Sequence, residues 1–151
     1  MKKIIFFLLI MAAANTSAQT KKSGESPQDF VEEFFKAFHE QDTLALKNMA
    51  SEGVQLQSIS INTEGKKLLN SEPFEHFLKS IASIPADSKF EERLLNFKVE
   101  ENGPLAVVNT AYEFYYNGNF SHCGVNNFTL VKLEDQWKIV HLIDTRNKKC
   151  D

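Results

Sequence analysis

Apolar residues first recur at helical intervals from Phe30 onward. Phe30, Val31, Phe34, Phe35 and Phe38 share one face, while Glu32, Glu33 and Lys36 point away. Ser26 stands where a helix cap belongs, Pro27 suits the first helical position, and Asp29 lies in the first turn. Asp42-Thr43 opens a short second helix carrying Leu44, Leu46 and Met49, which Gly53 closes. The period then changes. Residues 54–61 alternate and contain β-branched residues, which predicts a strand, with a slip in apolar parity between Leu56 and Ile59 that implies a bulge or bend. Residues 62–70 read as a loop turning at Glu64-Gly65. Ser71-Glu72-Pro73 starts a third helix with Phe74, Phe77, Leu78 and Ile81 on one face, limited by Pro85.

The remainder reads as sheet. Four extended segments, 90–100, 105–116, 120–133 and 137–145, are separated by Asn102-Gly103-Pro104, Asn117-Gly118-Asn119 and Glu134-Asp135-Gln136. Asn-Gly is a strong hairpin signal, and successive hairpins make an antiparallel meander. Helices followed by a long antiparallel sheet define an α+β fold. Long strands twist and curl, so the expectation is a cone-shaped curved sheet wrapped around three helices, with a hollow between them.

Composition adds a compartment. Lys2-Lys3, the apolar run Ile4–Ala14 and the small residues Thr16-Ser17-Ala18 have the layout of a secretory signal, too short for a membrane span. The organisation expected is a leader over 1–18, a flexible polar segment over 19–25 and one domain over 26–151, in a periplasmic or secreted protein. The formal net charge is −3 and becomes more negative by two without Lys2 and Lys3. An acidic chain argues against nucleic acid and anionic membranes as partners. Thirteen Phe residues favour a large apolar interior. The even count of two cysteines in an exported chain predicts a Cys123–Cys150 disulfide. Pairing across the last turn puts Cys123 opposite about residue 147, and a bend after Arg146 brings Cys150 within range.

The order of elements resembles the nuclear transport factor 2-like superfamily, which includes SnoaL-like cyclases, ketosteroid isomerase and scytalone dehydratase. The resemblance covers nearly all of the chain after the leader. It rests on "FVEEFFKAFHEQDTLALKNMA", "SEPFEHFLKSI" and "GNFSHCGVNNFTLVKLEDQWKIVHLIDTR". The Gly-Val-Asn-x-Phe strand followed by Trp-Lys-Ile and Asp-Thr-Arg is most similar to small exported bacterial members labelled lumazine-binding. Such a fold carries enzymes, binders and adaptors alike, so function must come from the site.

Strand parity sorts the faces. On 90–100 the buried set reads Glu91, Arg93, Leu95, Phe97 and Val99, beside Ala106, Val108, Thr110, Tyr112 and Phe114. A three-residue loop at 117–119 continues that face through His122, Gly124, Asn126, Phe128 and Leu130, then Val140, Leu142 and Asp144. A two-residue loop would instead turn Asn127, Thr129, Ile139, His141 and Ile143 inward, since a one-residue slip exchanges every side chain. The first register is preferred because it leaves Lys132 and Lys138 at the rim.

On that register Arg93, Tyr112, Asn126 and Asp144 are polar groups on the apolar inner face. A buried Asp144 would be a proton-transfer base if desolvation tuned it, and Tyr112 would donate to an enolate oxygen. The bland alternative is an Arg93–Asp144 pair that holds strands in register. The ketosteroid isomerase residues do not map onto this chain one by one. The expected pocket is Phe34, Phe38, Phe77, Arg93, Phe97, Tyr112, Asn126, Phe128 and Asp144. His122 and His141 fall on opposite parities, His39 ends a helix and His76 is on a polar face, so no metal site or catalytic histidine cluster is expected, and no cofactor. Trp137 reads as packing at the sheet's end. Asn127-Phe128-Thr129 matches a glycosylation sequon by chance, and Ser121 lacks a nucleophile elbow. The reading that follows is an exported binder of a small apolar or aromatic molecule. It is expected to dimerise through an outer sheet face bearing Leu94, Val107, Tyr115, Val131 and Ile139. An isomerase or dehydratase using Asp144 and Tyr112 is the first alternative, a protein interaction module the second.

Overall fold

The computed structural model describes residues 26–150. The expected leader and the polar segment after it lie outside the described residues. The chain runs α1 (Pro27–His39), α2 (Thr43–Met49), β1 (Ala50–Ile61), β2 (Lys67–Glu72), α3 (Phe74–Ala82), β3 (Phe90–Asn102), β4 (Leu105–Tyr116), β5 (Asn119–Leu133) and β6 (Gln136–Arg146). The caps are those the sequence announces. Ser26 Oγ accepts from the Asp29 amide at 3.1 Å, and an Asp42 carboxylate oxygen accepts from the Ala45 amide at 2.9 Å.

All six strands form one sheet in the order β2-β1-β6-β5-β4-β3. The β3–β6 meander is as expected. Two features were not. The stretch read as a loop over 62–70 contains β2, an edge strand exposed along its whole length that pairs with β1 from Lys67 to Glu72. With no buried face, it has no alternation to display. The second is that β1 joins β6 in parallel, Leu56 beside Leu142 and Ser58 beside Asp144, a long-range pairing with no local signature.

Bulges decide which side chains look inward. In β3 the register slips between Leu94 and Phe97, so Glu92, Leu94 and Phe97 pair with Phe114, Tyr112 and Thr110 on the inner face. Phe97 and Val99 are on the expected side, but Glu91, Arg93 and Leu95 are not. Between β4 and β5 Tyr116 pairs with Asn119, which makes a two-residue turn of Asn117 and Gly118, both with positive φ (50° and 77°). The three-residue loop is therefore wrong. Its consequence survives because an extra residue, Ser121, sits between Phe120 (opposite Tyr115) and His122 (opposite Phe114), which restores the parity. His122, Gly124, Asn126, Phe128 and Leu130 do share the face of Tyr112. A further slip places Ile139 opposite Leu130 and His141 opposite Thr129. Ile139 rather than Val140 therefore turns inward, followed by Leu142 and Asp144.

α1 lays its aromatic face on the inner side of this curved sheet. Phe128, fully buried, meets Phe34 and Phe35 edge-on at centroid distances of 5.3 and 5.9 Å. Leu46, Leu78, Ile81, Val108, Leu130, Trp137, Ile139 and Leu142 complete the core. Trp137 packs there with its indole N–H unpaired and Lys132 Nζ 5.2 Å from its ring centroid. The Cys123–Cys150 disulfide is formed, with Cα atoms 6.1 Å apart, and Cys123 bridges Asn147 as the hairpin geometry requires. No helix among the described residues is long and apolar enough to cross a membrane.

Candidate functional site

Between the helices and the sheet lies a cavity of about 350 Å³. One wall is aromatic. α1 contributes Phe34 and Phe38, whose rings lie nearly parallel to Phe77 of α3 at 6.5 and 6.0 Å, with interplanar angles of 9° and 4°. Phe114 of β4 stacks on His122 of β5 at 5.0 Å, and both line the same space.

The opposite end is polar. Tyr112 and Asn126 are buried, and Glu92, Asp144 and Arg146 line the cavity beside them. The Tyr112 hydroxyl is 3.1 Å from Asp144 Oδ2 and 2.9 Å from the Thr145 carbonyl, two acceptors that share its one proton. Arg146 Nε donates to Asp144 Oδ2 at 2.8 Å. Asn126 Nδ2 donates to Glu92 Oε1 at 2.6 Å, and the Glu92 backbone amide donates to Nε2 of His39 at the end of α1 at 2.9 Å. The crossing of β5 and β6 depends on Gly124. A Cβ there would lie 1.7 Å from the Thr145 carbonyl oxygen, the same oxygen that Tyr112 reaches from β4.

This geometry sets the electrostatics. Removal from water raises the Glu92 carboxyl to about 7; the Asn126 hydrogen bond opposes the rise and the Asp144 charge adds to it. Tyr112 is pushed far up, first by burial and then by Asp144 and Glu92. His122 is pushed down by burial, with Arg146 adding to the effect, so it is neutral at pH 7. Arg146 loses solvation, but the Asp144 hydrogen bond and charge outweigh that and hold it above its usual value.

Of the residues expected in the pocket, Phe34, Phe38, Phe77, Tyr112, Asn126 and Asp144 line the cavity. Three do not. Arg93 projects from the outer face, paired with Glu91 at 2.9 Å and lying over the Tyr115 ring at 4.1 Å. There is thus no Arg93–Asp144 pair, and the guanidinium beside Asp144 belongs to Arg146. Phe97 packs against the core, and Phe128 is sealed within it. Glu92, Arg146, His122 and Phe114 were missed as site residues. The signal for Glu92 was present: Leu94 and Phe97 are both apolar at odd spacing. The same kind of signal misleads in β1, where Leu56–Ile59 pairs without a break and the irregularity lies between Ala50 and Gln55. His141 bonds with Gln57 at 3.0 Å and does not converge with His122. Among the described residues no three His, Cys, Asp or Glu side chains form a metal-ligand group.

A scan against family models matches residues 28–143 to the SnoaL-like domain. The search of curated proteins found no match. Among solved structures, the chain is similar to a protein of unknown function with a cystatin-like fold from Nostoc punctiforme. Identity is 10%, with 81% of this chain and 89% of that chain covered and a TM-score of 0.61. It is similar to a nuclear transport factor 2-like protein from Cytophaga hutchinsonii at 11% identity, covering 80% and 94%, TM-score 0.61. It is also similar to the beta subunit of the benzoate 1,2-dioxygenase from Burkholderia mallei at 15% identity, covering 80% and 87%, TM-score 0.61. At these identities the structures show a shared fold. The family model is the SnoaL-like one and does not carry the narrower lumazine-binding label. Its span across both the helices and the curved sheet means that the chain belongs to the SnoaL-like domain family, and it has the nuclear transport factor 2-like fold.

Proposed function

We propose that this protein is an exported binder of a small, flat, mostly apolar molecule with one polar end. The observation that carries the reading is the open cavity of about 350 Å³, walled by parallel phenylalanine rings and bounded at its far end by a hydrogen-bonded polar cluster. An apolar pocket with a few convergent polar groups is the common form of a small-molecule site. The disulfide and the leader-like residues 1–18 support an oxidising compartment outside the cytoplasm. Native mass spectrometry on protein exported with its own leader tests the reading. A protein mass carrying one additional small molecule is expected. A bare mass that stays bare when aromatic and lipid-like libraries are offered would reject it.

One observation favours a second reading, proton-transfer catalysis. A carboxyl near 7 at a cavity wall is poised to exchange protons at neutral pH, and that carboxyl is Glu92 rather than Asp144. Tyr112 already directs its proton to Asp144 or Thr145, so a substrate oxygen would have to displace one of them. Loss of solvent-deuterium exchange into a bound carbonyl compound in Glu92→Gln, at unchanged fold, is the result this reading requires.

A further inference from the structure

Resting on the pocket reading above, we propose that the ligand is an organic cation, a flat amine or protonated nitrogen heterocycle whose charged end sits against Glu92. The balance of charge along the cavity is the first support. Glu72, Glu92 and Asp144 line it, against a single guanidinium, Arg146, and no lysine. Arg146 is already matched by Asp144 at 2.8 Å, and its side chain is 55% exposed. Its Nη groups keep N–H donors, but its charge is balanced by Asp144 before any anion arrives.

The donor and acceptor inventory points the same way. Asn126 directs its amide at Glu92 Oε1, and Tyr112 has one proton for two acceptors. The second oxygen of Glu92 is acceptor capacity at a cavity wall, which suits a ligand that brings N–H groups and positive charge. The aromatic wall suits it too, because the faces of Phe34, Phe38 and Phe77 attract a cation as well as an apolar body. The groups around Glu92 come from every neighbouring strand and from α1: Tyr112 on β4, Asn126 on β5, Asp144 and Arg146 on β6, and His39 at its backbone. None but Arg146 is cationic at neutral pH, since burial lowers both His39 and His122.

A cation that pairs with Glu92 needs it ionised. Binding below pH 7 must therefore expel a proton from the carboxyl, and affinity must fall as the solution is acidified through that range.

Three naphthalene probes of near-equal size separate the possibilities by calorimetry at pH 8: the 1-naphthylmethylammonium ion, neutral 1-naphthylmethanol and 1-naphthoate. The expected order is ammonium tightest, by about tenfold or more over the other two, which is one modest ion pair's worth of affinity. At pH 6 in buffers of different ionisation enthalpy, the ammonium ion releases a proton on binding and the alcohol does not. In Glu92→Gln, checked for native circular dichroism, the ammonium loses its advantage over the alcohol. The pH titration of the unaltered protein tests the same ion pair without any variant. Equal binding of ammonium and alcohol, or preference for naphthoate, overturns the cation proposal and leaves the pocket reading standing. Failure of all three to bind overturns the cation proposal, and the pocket reading is then decided by the mass-spectrometric test above.

Discussion

Glu92 matters most at the residue scale because it is a carboxyl placed where ionisation is opposed. Its folded value of about 7 lies above the ordinary 4.5. Between those values the folded chain holds a proton that the unfolded chain has lost, so stability falls as pH rises from about 4.5 to 7 and then levels. The difference amounts to about 2–4 kcal/mol. Urea denaturation of the unaltered protein and of Glu92→Gln across pH 4–8 should show that fall in the first and its loss in the second. Equal slopes in both would mean that Glu92 is solvated. Gly124 is the second residue whose identity is dictated by contact. Its missing Cβ is the space through which β5 and β6 close on Thr145. Any other side chain at 124 would push apart the strand pair that holds Asp144 and Tyr112 in bonding range.

Across elements, the site depends on bulges more than on strands. Leu94/Phe97, Ser121 and Val140 each shift one strand by a residue relative to its neighbour. Each shift exchanges the faces beyond it, so Glu92 enters the cavity and Arg93 leaves it. The strands, their turns and the aromatic helix faces were legible in the sequence because each is set by local periodicity and turn chemistry. Polar residues such as Glu92 and Arg93 carry no parity of their own, and an unnoticed bulge misplaces them without disturbing the apolar pattern. The Cys123–Cys150 bond belongs to this scale as well, tying the end of β6 back to β5. Replacing both cysteines by serine should cost about 3–4 kcal/mol for a loop of this length. The measurement is the urea midpoint of Cys123→Ser/Cys150→Ser against the oxidised protein. An unchanged midpoint would show that the hairpin already holds the terminus.

For the whole molecule, the helices cover the inner sheet face and leave the outer one open. Leu94 and Ile139 do not belong to that outer face, since both turn toward the core, and Ile139 is fully buried. Val107, Tyr115 and Val131 remain on it, joined by Leu105 and Val125, which are 46% and 42% exposed. We propose that a second copy covers this face, as exposed apolar residues on an uncovered sheet face favour. Light scattering on a sizing column should give twice the chain mass, and Val125→Asp combined with Leu105→Asp should halve it. A monomer at all concentrations would end that proposal.

By itself the sequence determined the α+β class, the three helices and the N-terminal caps of α1 and α2, the β3–β6 meander, the disulfide and an aromatic interior. All of these follow from short-range periodicity, capping and turn residues, or from cysteine parity. Only the tertiary structure decided that β1 runs parallel beside β6, that residues 67–72 form an edge strand, and that Glu92 and Arg146 rather than Arg93 meet Asp144. Those outcomes depend on pairings between distant segments and on single-residue bulges. The free energy of both comes from contacts between segments far apart in sequence, which no local window contains.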